Sequence, residues 1–161
     1  MAKKATNPIP QGYHSVQPSL TCRDAAKAIE FWKKALGAEE VMCMRGPGGR
    51  IMHAEVRIGN SVLMLNDELP DMGCHSPQQL NGSPVSFYVY VEDVDASFKR
   101  AVEAGATAEY PVMDMFWGDR TGSLKDPFGF KWVLASRTRE LTEAEIMEGQ
   151  KEFFANMAGK K

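Results

Sequence analysis

Residues 116–122 read FWGDRTG. Two aromatics, an acid, a base, a hydroxyl and two glycines fall within seven positions. On one reading the stretch is the wall of a pocket. Trp117 offers a flat apolar surface, and Arg120 offers a cation to a ligand's carboxylate or phosphate. Gly118 and Gly122 leave room for close approach. On the other reading Asp119 and Arg120 pair with neighbours, Trp117 packs in a core or an interface, and the stretch is a turn into a strand. A second group of reactive types lies in MHAEVRI, residues 52–58. His53, Glu55 and Arg57 alternate with Met52, Ala54, Val56 and Ile58. His53 and Glu55 are the candidate catalytic pair, an acid and a base across a small ligand. The same residues also suit a polar, wet strand face on which Glu55 pairs with Arg57. Tyr88 and Tyr90 form a third group, two residues apart as on one face of a strand.

These residues need a scaffold. The chain has 161 residues, 43% of them hydrophobic and 25% charged, with a formal net charge of −2. That composition fits a globular domain or two small modules sharing a core. The charge gives no reason to expect nucleic acid or an anionic membrane as partner. The basic pairs Lys3–Lys4 and Lys160–Lys161 read as solvated ends. No apolar run approaches membrane-spanning length, and MAKKATNPIPQG lacks the apolar stretch of a secretory signal. Cys22, Cys43 and Cys74 are odd in number and widely spaced, with neither a CxxC nor a zinc pattern. They read as reduced thiols of a cytoplasmic protein. No phosphate loop, nucleophile elbow or HExxH is present.

The pattern strand, helix, three strands occurs twice. HSVQPSLTC (14–22) reads as a strand. Asp24 caps a helix over AAKAIEFWKKAL, and Gly37 stops it. EEVMCMR, RIMHAEVRI and SVLMLND follow as strands, parted by a GPGG and a GN turn. After a looser stretch at 68–84, VSFYVYV reads as a strand. Asp93 or Asp95 opens a helix that ends at Gly105. AEYPVMD, RTGSLKD and FKWVLAS close the set. Asp24 and Asp93 stand 69 residues apart, as do Met64 and Val133. The expected architecture is therefore α+β: tandem βαβββ modules forming a curved mixed sheet with helices on its convex side. Module 1 covers about 12–67, the linker 68–84 and module 2 about 85–137, so the domain spans 12–137. Residues 138–161 form a tail in which Thr142 and Glu145 make a capping box ahead of an amphipathic helix.

Strand alternation turns Gln17, Ser19 and Thr21 into the concavity, with Val62, Met64 and Asn66 on the fourth strand. Ser86, Tyr88 and Tyr90 do so on the fifth, and Lys131, Val133 and Ala135 on the eighth. Matching HAEVRIG to RTGSLKD puts Arg120 in the place of His53. Trp117 and Arg120 are then expected in one cavity with His53, Glu55 and Tyr88.

The segments DAAKAIEFWKKALGAEE, VEDVDASFKRAVEAGA and DPFGFKWVLA resemble the glyoxalase/bleomycin resistance/extradiol dioxygenase group, the vicinal oxygen chelate superfamily. HAEVRIGNSVLMLNDE and FWGDRTGSLKDPFG are similar to its PhnB-like branch. The resemblance implies the tandem fold and a homodimer. It also implies metal ligands on the first and last strand of each module. Those positions here are Gln17, Met64, Ser86 and Val133. Thioether and hydrocarbon side chains do not ligate a hard or borderline divalent ion, so no metal site is carried over.

The expected function is metal-independent binding of a small organic ligand, with Gln17, His53, Glu55, Met64, Tyr88, Trp117 and Arg120 as binding residues and no cofactor. One alternative is an enzyme of the same group, a lyase, isomerase or dioxygenase, using a divalent metal or His53 and Glu55. The other is a protein-interaction module working through the 68–84 loop and the tail helix.

Overall fold

A computed structural model describes residues 3–158. The basic pair Lys160–Lys161 lies outside the described residues. The chain forms two compact units, residues 1–82 and 83–161. Each has one four-stranded mixed sheet.

In the first unit the strands are β1 (Ser19–Cys22), β2 (Glu39–Arg45), β3 (Ile51–Ile58) and β4 (Ser61–Asp67), in the order β1-β4-β3-β2. β1 pairs parallel with β4, which a hairpin could not achieve. The crossover helix α1 (Ala25–Leu36) supplies the connection. Asp24 caps α1 by accepting from the Lys27 amide at 3.0 Å. Asp67, at the end of β4, accepts from the amides of Ala25 and Ile51, both at 2.7 Å, and so ties the helix to the sheet. Gly37 ends the helix with φ 68°. One side of α1 buries Ala28, Ile29, Trp32 and Ala35 on a sheet face made by Ala54, Val56 and Leu65. Trp32 is fully buried, and each such side chain contributes about 1.5–3 kcal/mol.

The second unit repeats the plan. β5 (Ser86–Tyr90), β6 (Thr107–Asp114), β7 (Asp119–Lys125) and β8 (Lys131–Arg137) run in the order β5-β8-β7-β6. Here α2 (Val94–Glu103) is the crossover, capped by Asp93 on the Ala96 amide at 2.9 Å. Phe87 packs on Trp132 with ring centroids 4.8 Å apart, and Trp132 donates to Asp126 at 2.9 Å. The third helix, α3 (Glu143–Ala158), starts at the expected capping box: the Thr142 amide and hydroxyl both donate to Glu145 at 2.7 Å.

Most element limits fall where the sequence puts them. Two do not. β1 begins at Ser19 rather than His14, because Pro18 has no amide to give to a ladder. β7 begins at Asp119, one residue before the expected start. That residue matters for the site.

Candidate functional site

The open face of the second sheet, opposite α2, is organised around Asp119. Its side chain is 2% exposed. Oδ2 accepts from the hydroxyl of Tyr88 at 3.0 Å, the hydroxyl of Tyr90 at 2.9 Å and the indole of Trp117 at 3.2 Å. Nε of Arg137 lies 2.6 Å from Oδ1, without the alignment of a hydrogen bond, so that oxygen has a counter-charge but no aligned donor. Burial alone raises the pKa of a carboxyl. Here the donated hydrogen bonds and the Arg137 charge outweigh burial and hold Asp119 below the usual range. The effect on Tyr88 is the reverse. Burial, then its bond to Asp119, push the phenol up to about 12. A fixed anion thus holds three aromatic side chains in place. Tyr88 and Tyr90 present their rings outward, 45% and 59% exposed, with centroids 5.3 Å apart.

Beside this cluster is a cavity of about 490 Å³. The register places its floor: Val133 of β8 lies opposite both Tyr88 and Ser123, and Ser123 lies opposite Tyr110. Tyr110, Met113 and Met115 add apolar wall, and Phe153 of α3 adds another. Phe153 reaches the cavity because α3 packs against the turn before β7, with the Phe116 and Phe153 rings 5.5 Å apart. The tail was expected to form a helix; nothing in its sequence marked it as a wall of the site.

On the first sheet the open face carries Ser19, Met64 and Glu55 in one row across β1, β4 and β3. Glu55 is 5% exposed. It accepts from the hydroxyl of Tyr13 and lies 3.1 Å from Nε2 of His53. Burial pushes Glu55 up, but the bonds from Tyr13 and His53, with the His53 charge, hold it below the usual range. Its bond to that carboxylate raises Tyr13 in turn. The expected Glu55–Arg57 pair is absent; Arg57 instead reaches Glu39 at 3.4 Å. Tyr13, in the leading segment, had drawn no attention in the sequence. Gln17, ahead of β1, uses its amide on the backbone: the nitrogen donates to the Val62 carbonyl and the oxygen accepts from the His14 amide, both at 2.7 Å.

The structure therefore brings Gln17, His53, Glu55 and Met64 to the first sheet's open face, and Tyr88 and Trp117 to the second's. It does not bring Arg120. That side chain lies on the helix side, where it grips Asp95 of α2 with Nε and Nη2, both at 2.8 Å, and reaches Asp114 at 3.3 Å. The expectation of Arg120 in the cavity is corrected by one residue of register. Glu55 and Ser123 are the equivalent central residues of β3 and β7, since they face Met64 and Val133. A slip of one turns every side chain to the other face. The glycines are corrected too. A Cβ on Gly122 would stand 2.8 Å from the Phe98 ring, so this glycine makes room for α2. Gly118 has φ 94°, and a Cβ there would meet the Arg139 carbonyl at 2.5 Å. Both serve the chain's own packing rather than a ligand.

Comparison with known proteins follows from this geometry. The family model of the Glyoxalase/Bleomycin resistance protein/Dioxygenase superfamily matches residues 13–134. The chain belongs to that superfamily. Among curated relatives of this superfamily member, the uncharacterized protein Mb0911c of Mycobacterium bovis is 43% identical over 135 residues, 82% of this chain and 89% of that protein. Among solved structures, TioX from Micromonospora sp. ML1 has a TM-score of 0.61 at 23% identity, covering 80% of this chain and all of that one. The At5g48480 product of Arabidopsis thaliana has a TM-score of 0.62 at 25% identity, covering 76% and 98%.

The superfamily implies a divalent metal, and the residues at its ligand positions do not fit one. Gln17 spends its amide oxygen on the His14 amide, Met64 and Val133 bring no oxygen or nitrogen, and Ser86 brings a neutral hydroxyl. Among the described residues no three of His, Cys, Asp and Glu cluster as a metal site would need. No chemistry of this site is therefore routed through a metal.

Proposed function

We propose that this superfamily member binds a small, flat organic molecule on the open face of its second sheet, without a metal ion. The observation that carries the reading is the cavity of about 490 Å³ set beside aromatic rings held by Asp119. Its volume is in the range of small-ligand pockets, and its walls combine apolar surface with a few polar groups. Rings fixed before binding lose little entropy on binding, so they are suited to stacking. Thermal-shift screening of planar organic compounds tests this, with and without a chelator. Compounds that raise Tm equally in both conditions support it. Stabilisation that appears only when a divalent metal is added overturns it.

The same reading places the protein in the PhnB-like branch, as a cytoplasmic homodimer. HAEVRIGNSVLMLNDE and FWGDRTGSLKDPFG support the branch, and a PhnB protein from Bacillus cereus is among the structural neighbours. The free thiols of Cys22, Cys43 and Cys74 support a reducing compartment. Mass measurement in solution tests the dimer.

The Tyr13–Glu55–His53 chain favours a second reading, acid–base chemistry on the first sheet. With Nε2–H donated to Glu55, the ring leaves Nδ1 as its basic atom. Nitrogen NMR of His53 checks this. The Nε2–H tautomer at neutral pH supports a poised base; the Nδ1–H tautomer removes it.

A further inference from the structure

We infer that the cavity of the second unit takes an uncharged aromatic molecule carrying one hydrogen-bonding group, and that Ser123 selects that group. The inference rests on the reading of this cavity as a binding site and names the class of ligand it takes.

The walls set the first half of the class. Tyr110, Met113, Val133 and Phe153 are aromatic rings, a thioether and a branched hydrocarbon. Such surfaces gain from covering a flat apolar ligand and from contact between sulfur and ring. Two charged side chains border the cavity, Glu109 and Lys131, and they answer each other at 3.1 Å. Neither is left seeking a charge from the ligand. Arg120, whose place in the cavity would have called for an anion, is spent on Asp95 and Asp114. A charged ligand would lose its water here and find no free counter-charge.

Ser123 sets the second half. It sits on β7 between Tyr110 and Val133, at the cavity floor. Its Oγ is buried and makes no hydrogen bond among the described residues. A buried hydroxyl without a partner is costly, and a ligand group that meets it recovers that cost. Because the side chain borders the cavity, one rotamer step about χ1 aims the hydroxyl at a ligand. A hydroxyl both gives and accepts, so it accommodates a phenol or an aryl carbonyl.

Phe153 sets the cavity's outer limit. It comes from α3, which lies against the Phe116 turn so closely that a Cβ on Gly149 would stand 3.1 Å from the Phe116 Cβ. The segment outside the repeated modules thus shapes the ligand that the modules hold.

Equilibrium dialysis with three probes of one ring system tests the proposal: 2-naphthol, naphthalene and 2-naphthoate. The unmodified protein is expected to bind 2-naphthol tightest and the anion 2-naphthoate weakest. Ser123→Ala should weaken 2-naphthol by about five-fold, while naphthalene, which has nothing to offer the hydroxyl, shifts by less than about two-fold. Phe153→Ala should weaken all three, and circular dichroism of each variant confirms that it is folded. Tightest binding of 2-naphthoate, or a 2-naphthol preference that survives Ser123→Ala, overturns the ligand class while leaving the cavity a binding site. Failure of all three probes to bind the unmodified protein overturns the cavity reading, and the ligand class with it.

Discussion

Asp119 is the residue on which the second site depends. Three neutral donors and one guanidinium surround a carboxylate that is nearly inaccessible to water. Asp119→Asn keeps the shape but removes the charge that these groups answer. It should cost about 2 kcal/mol of stability in urea unfolding. Tyr90→Phe removes one donor from a half-exposed ring and should cost about 1 kcal/mol. The pH dependence has a definite sign. Asp119 titrates below the 3.8 of a free aspartate, so its contribution is fully present above that value and is lost as pH falls through the lower folded one. Tyr88 acts at the other end. Its folded pKa of about 12 lies above the ordinary 10.0, so its contribution is full below 10 and is lost as pH rises through 12. An ultraviolet titration should therefore show a late tyrosine phase, and Tyr88→Phe should remove it. Persistence of that phase in the variant would assign it elsewhere.

At the scale of elements, β7 decides which side chains meet a ligand. Arg120 belongs to its helix face, as a strap between the sheet and α2. Because both partners are partly exposed, Arg120→Ala should lower stability by under about 1 kcal/mol and leave probe binding in the cavity unchanged. The turn before β7 is less forgiving. Gly118→Ala forces a side chain onto a left-handed backbone and into the Arg139 carbonyl, so it should cost about 1–3 kcal/mol in the same unfolding measurement. Caps, helix periodicity and turn glycines were legible in the sequence, since each depends on a few adjacent residues: Asp24 and Gly37 bound α1 where they were expected. The faces of β1, β4, β5 and β8 were legible too, because alternation with buried neighbours is local. The face of β7 was not. Its reading relied on matching two strands across the repeat, and the bulges in the β6–β7 pairing show that spacing is not conserved strand by strand. Asp119 was therefore read as part of a turn, although the acid, the indole and the tyrosines were all visible. Contacts made at a distance in sequence, such as Tyr13 on Glu55 and Phe153 on the cavity, had no local signal.

At the scale of the whole molecule, two units built to one plan carry different chemistry on the same face. The first holds a buried glutamate between a tyrosine and a histidine, and the second a buried aspartate among two tyrosines, a tryptophan and an arginine. A common scaffold with divergent polar centres is what a fold that hosts many functions allows. The second unit also has the cavity, with the tail helix as part of its wall. Its ligand is expected to be organic and its binding independent of metal. Equilibrium dialysis of 2-naphthol against chelator-treated protein, beside a folded Val133→Trp variant whose indole fills the cavity floor, tests that claim most directly. The account predicts that the chelator leaves binding unchanged and that Val133→Trp abolishes it. Binding that requires added divalent metal, or that survives Val133→Trp, would contradict it.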